Sequence, residues 1–286
     1  MSLVDTREHP PASVSIGLQR PTGRLAEFVR RHRFGSYALG AIVVSWTGAF
    51  AIAASMGFDF RDRSAPSLLF AMVAGPTISA LIVTSLADGK QGLRALRAAL
   101  TKWRVEPKWY LFALIMPAIT LGVLVTLAWL VDDAYTPSLD IGFILFATVA
   151  GTFEEIGWTG VATPALLRRH APLLAALMLG VVHSVWHVLP DGITNEPTWW
   201  SSLWFPKFAA TFIVGLIALR VVMTYVYTHT KSLFVAVILH GSYTGSLVAF
   251  KPDTTDAQYV IWNAAMAFAL VVVAVLVAMK MRKEAQ

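Results

Sequence analysis

Eight apolar stretches, each close to the length of a bilayer-crossing helix, alternate with short polar connections along this chain. They fall at about 38–57, 67–87, 109–131, 139–166, 171–190, 203–227, 232–250 and 258–279. A hydrocarbon layer about 30 Å thick takes about 20 helical residues to cross, so each stretch predicts one span. The clearest is WYLFALIMPAITLGVLVTLAWLV, whose leading aromatics suit the membrane interface. Pro76 and Pro117 lie inside spans, where neighbouring helices can satisfy the freed carbonyls, and Gly75-Pro76 predicts a kink. Between the second and third spans, Leu93, Leu96, Leu100 and Trp103 recur at helical spacing among Arg94, Arg97, Lys102 and Arg104. That pattern predicts an amphipathic helix on the membrane surface, with a solvated basic connector as the alternative. The organisation expected is a polar tail over 1–36, whose first 20 residues read as disordered, one transmembrane domain over 37–280 and a short tail over 281–286. The fold class is an all-α polytopic membrane bundle of about eight transmembrane helices.

Composition agrees with the pattern. Apolar residues make up 56% and charged residues 14%, with mean hydropathy +0.62; a soluble domain carries about 25% charge. The absence of cysteine excludes disulfides, thiolate metal sites and cysteine nucleophiles. A pI near 9.7 would suit a nucleic-acid binder, but the basic residues sit beside the spans and set topology instead. With the N-terminus in the cytoplasm, 19 of the 23 Lys and Arg fall on the inner side, Arg220 and Lys231 among them. Arg61, Arg63, Lys207 and Lys251 fall outside, where the loops are acidic at Asp132, Asp133, Asp191, Glu196, Asp253 and Asp256. This split predicts a multi-pass plasma-membrane protein with both termini cytoplasmic. Its partners would be the bilayer and a membrane-associated protein or peptide, not nucleic acid.

Chemistry concentrates in the apolar runs. Glu154 and Glu155 are adjacent inside the fourth span, and each charge at bilayer depth costs roughly 2.5–3.5 kcal/mol. Neighbours on a helix point about 100° apart, so one should face a reaction centre and the other brace it. The alternative is a pair of structural hydrogen bonders. His183 and His187 share one helical face at the i, i+4 spacing that suits a metal, and His240 is followed one turn later by Thr244. Counted from inner anchors at ~1.5 Å per residue, Glu154, His187 and His240 fall within about two turns of one depth and can converge. His9, His32, His170 and His229 read as surface residues. No GxSxG, Walker loop, GxGxxG or HExxH is present, which leaves serine-hydrolase, nucleotide-driven and zincin readings without support.

Taken in order, Glu154-Glu155-Ile156-Gly157-Trp158-Thr159-Gly160, Trp186-His187-Val188-Leu189-Pro190 and His240 with Thr244 resemble the three motifs of the CPBP family. These are the CAAX-protease and bacteriocin-processing intramembrane proteases, related to the type II CAAX prenyl endopeptidase. The likeness extends over about residues 65–250. It implies an intramembrane endopeptidase with Glu154 as catalytic glutamate, Glu155 as its supporting neighbour, and His187 and His240 as catalytic histidines aided by Thr244. The implied mechanism is Glu/His-activated water. A divalent metal such as zinc, held by His187, His240 and Glu154 with His183 a less suitable ligand, is the other reading of the same residues. The chain departs from the family pattern at Thr159, where Arg is usual, at Thr244, where Asn is common, and at His183, where an aromatic is usual. The functional alternative is a catalytically degenerate relative acting as an immunity or binding factor, or a small transporter.

Overall fold

The structure is a computed structural model that describes residues 21–57, 65–140, 142–194, 202–284 and 286. The expected tail over 1–20, Arg61, Arg63 and Glu196 lie outside the described residues. Among those described there is no strand, and twelve α-helices follow one another. A short α1 (Arg24–Arg31) leads into α2 (Arg33–Ser55), so helix begins well before the boundary expected at 37. Next come α3 (Ala65–Leu100), α4 (Pro107–Ala113) and α5 (Ile115–Leu130), then α6 (Gly142–Gly157) and α7 (Thr163–Leu167) joined by a π-helical turn over Trp158–Ala162. The chain continues through α8 (Pro172–Thr194) and α9 (Trp204–Phe208). A second π-helical stretch, Ala209–Gly215, leads to α10 (Leu216–Thr230), then α11 (Leu233–Ala249) and α12 (Asp256–Glu284).

These helices account for the eight apolar stretches, with α4–α5, α6–α7 and α9–α10 each filling one. Six are long and apolar enough to cross a membrane. The other two are the α6–α7 segment, which carries the glutamates, and α11, which is only 17 residues long. Both carry buried polar side chains, Glu154 and Glu155 on the first and His240 on the second. The expected surface helix is present as the last part of α3, past Gly89 at φ 60. A left-handed backbone is cheap only for glycine, and there it breaks the direction of the span.

Packing brings the polar helices to the centre. The broadest contacts are α2 on α3, α6 on α11 and α8 on α10. Tyr37, Trp158, Leu179 and Trp186 form one buried cluster, with Tyr37 and Trp158 edge-to-face at 5.2 Å. The other follows α10, α11 and α12 through Leu219, Met223, Leu239 and Trp262. Hydrogen bonds lock α8 to the first hairpin: Trp186 Nε1 donates to Ser45 Oγ at 2.8 Å, and Ser45 Oγ to Met72 O at 2.6 Å. Two glycines permit the close approaches. A Cβ at Gly157 would stand 2.6 Å from the Pro76 carbonyl, and one at Gly241 would stand 3.0 Å from Thr148 Cα. Without them α6 could not lie so near α3 and α11, nor could His240 reach the glutamates.

Candidate active site

Glu154 and Glu155 occupy the final turn of α6, immediately before the π-helical turn, a local widening often found at functional positions. Glu155 is fully buried and satisfied by three elements. From α10, Arg220 Nη1 donates to Oε2 at 2.9 Å and Nη2 to Oε1 at 2.7 Å. From α11, His240 Nδ1 lies 2.7 Å from Oε1, and the Thr159 hydroxyl donates to Oε2 from one turn on. Arg220 Nε also donates to His183 Nδ1 at 2.9 Å, and His183 Nε2 lies 3.1 Å from Glu154 Oε2. One guanidinium thus orients both glutamates, the first directly through its fork and the second through an imidazole.

The partners assign the tautomers. Arginine has no acceptor and stays protonated, so His183 Nδ1 accepts from it and the neutral ring carries its proton on Nε2, donated to Glu154. His240 Nδ1 faces a carboxylate clamped by Arg220, so Nδ1 carries a proton and Nε2 is turned away from Glu155. Ligand atoms of Glu154, His183 and His187 lie within 4.8 Å of one another. A metal at His183 Nε2 would have to displace the proton that Arg220 enforces, which makes His183 a brace for Glu154. Of this trio that leaves Glu154 and His187 as groups able to hold a divalent ion; His240, the third ligand expected, lies outside the trio and lines the same cavity. The His187 ring, stacked on Phe212 at 4.1 Å and on His183 at 5.3 Å, has no hydrogen-bond partner among the described residues.

Glu154, His183, His187, His240 and Thr244 line one cavity of about 380 Å³. Its walls are apolar, with Phe212, Leu216, Leu219, Leu247 and Trp262, and its far end is reached by Lys251 and Tyr259 at the α11–α12 connection. The cavity therefore runs from the Glu/His cluster away from the end that carries Arg168 and Lys231. Glu155, by contrast, stands behind His240 and does not line it.

The sequence reading missed Arg220. Placed among the inner topology charges, it is instead a fully buried side chain in the second turn of α10, and the inner count falls to 18. The signal was available, since LIALRVVM interrupts an apolar run as the glutamates do. Arg220 also accounts for Thr159, because the cation that the family motif usually places four residues after its second glutamate comes here from another helix.

Fold and cluster together define a polytopic all-α membrane protein with a buried Glu–His–Arg network facing an internal cavity. Residues 136–246, which hold every member of that network, match the family model described as type II CAAX prenyl endopeptidase Rce1-like. A curated relative, CAAX prenyl protease 2 of Methanococcus maripaludis, is 26% identical over 130 residues. That match covers 43% of this chain and 47% of the relative, so about half of the relative's length is spanned. Over residues 136–246 the chain is thus similar to the Rce1-like family, the likeness its motifs suggested.

Proposed function

We propose that this protein is an intramembrane endopeptidase that hydrolyses a peptide bond of a membrane-associated protein or peptide. The observation that carries the reading is Glu154, a buried carboxylate held by the Arg220–His183 brace at the wall of an apolar cavity within the Rce1-like region. In this mechanism Glu154 takes a proton from water held against His187, and the water oxygen bonds to the scissile carbonyl carbon. His240, its ring oriented by Glu155 through Nδ1, donates from Nε2 to the oxyanion with help from the Thr244 hydroxyl. The C–N bond then breaks as the proton passes from Glu154 to the leaving nitrogen. Lys251 is the one Lys or Arg lining the cavity, which under the positive-inside rule supports substrate entry from the exterior face.

A second reading is favoured by the close approach of Glu154 and His187. A divalent ion held by Glu154, His187 and His240 would supply a polarised water, with Glu155 and Arg220 fixing the His240 tautomer.

Proteoliposomes containing the full chain test the proposal against two probes, a quenched peptide with a prenylated CAAX terminus and a bilayer-anchored peptide mixture. The first follows the name of the Methanococcus relative. Glu154→Gln should lose about 10²-fold or more of the cleavage rate, the scale of a general base. Equal hydrolysis by the variant, or none by the unaltered protein, would return the chain to the binding or transport alternatives. Insensitivity to a chelator supports metal-free water activation, whereas loss restored by zinc establishes the second reading.

A further inference from the structure

Away from the Glu/His cluster, at the end of the bundle that carries Arg168, two adjoining clefts of about 430 and 260 Å³ share Arg30, Arg33 and Arg168 as lining residues. Their charges are poorly matched. Arg33 pairs with Asp88, both side chains being largely buried at 16% and 22% exposure, and its Nε is buried with no hydrogen-bond partner. Arg30 is held by carbonyls, Nη1 donating to Pro21 O at 2.9 Å and to Ala87 O at 3.2 Å. Arg168 makes no ion pair or hydrogen bond with any described residue. Its side chain is exposed at the cleft wall, and partial burial followed by the charge of Arg33 draws its guanidinium below its ordinary pKa, with Asp88 opposing. Three guanidinium groups thus share one carboxylate.

Topology charge alone does not require this convergence. The positive-inside rule is satisfied by separated residues such as Arg94 and Arg97, which line neither cleft. Guanidinium forks converging on an open cleft match the tetrahedral oxygens of a phosphate, which each can engage bidentately. We propose that this paired cleft binds one phosphate-type anion, engaged by Arg33 and Arg168 and oriented by the carbonyl-anchored Arg30. The phosphate would come either from the headgroup of an anionic lipid or from solution.

The test uses the full chain in nanodiscs of phosphatidylcholine and phosphatidylglycerol, with native mass spectrometry counting retained lipids. Thermal unfolding in sodium phosphate is measured beside sodium chloride of equal ionic strength. One retained phosphatidylglycerol is expected if the source is lipid, and phosphate-specific stabilisation if it is soluble; competition between the two ranks them. Arg168→Gln should weaken the effect on the order of tenfold, the loss of one charged hydrogen-bonded contact, and Arg168→Lys should fall between it and the unaltered protein. Arg94→Gln, which removes an exposed charge on the same helix as Asp88 that lines neither cleft, should change it less than about twofold. Equal losses in Arg168→Gln and Arg94→Gln would reduce the effect to diffuse attraction and overturn the site. So would the absence of both lipid preference and phosphate stabilisation.

Discussion

Replacing Arg220 by Met should be among the most damaging single changes in this protein that leave its backbone untouched. The side chains of Arg220 and Glu155 are 1% and 0% exposed, and the guanidinium gives three hydrogen bonds, two to Glu155 and one to His183. Methionine fills similar volume but leaves the Glu155 carboxylate buried without its cation, next in sequence to a second buried carboxylate, Glu154. Breaking such a pair from one side costs about 3–5 kcal/mol, far above the ~0–1 kcal/mol of a surface pair. Glu155→Gln in the same background removes the stranded charge while keeping one acceptor oxygen for His240, and the Thr159 hydroxyl can turn to accept from the new amide. The double variant should therefore recover about 2 kcal/mol or more relative to Arg220→Met, a coupling within the range for contacting residues. Arg220→Lys keeps the charge but not the fork, and should be intermediate. Equilibrium unfolding in mixed micelles, followed by tryptophan fluorescence, measures all three. Stability of Arg220→Met within about 1 kcal/mol of the unaltered protein, or losses that simply add in the double variant, would refute the role given to this pair.

The same network sets the outcome of a substitution at Thr159. Since Thr159 is buried and Arg220 already supplies the cation, Thr159→Arg should lower the unfolding midpoint of the unaltered protein yet partly rescue Arg220→Met; rescue in neither background would separate the two positions. Gly157→Ala should cost about 1–3 kcal/mol, as overpacking does, because its Cβ would meet the Pro76 carbonyl at 2.6 Å; an unchanged midpoint would show that α3 and α6 can part freely. The lack of cysteine makes topology directly measurable. Lys251→Cys should react with an impermeant maleimide added outside intact cells, and Lys283→Cys only after permeabilisation, whereas the opposite pattern would place the cavity mouth on the cytoplasmic side.

Much of this protein was legible from one dimension. Hydrophobic run length fixed the helical class and the number of apolar segments, because a bilayer leaves backbone polar groups few other ways to be satisfied. The cost of charge at depth singled out Glu154 and Glu155, and helical spacing put His183 with His187 and His240 with Thr244. Pairing between distant helices was not legible. Nothing in the spacing says that Arg220, 65 residues from Glu155, is its partner, and the same positive charge counted as topology until the fold buried it. Nor could periodicity divide labour between the histidines. His183 and His187 lie on one face, but only the Arg220 contact fixes the His183 tautomer and turns it toward Glu154, while His187 is left open to the cavity. Sequence selects which side chains are too costly to face lipid; tertiary packing decides which of them neutralise one another and which remain free for chemistry.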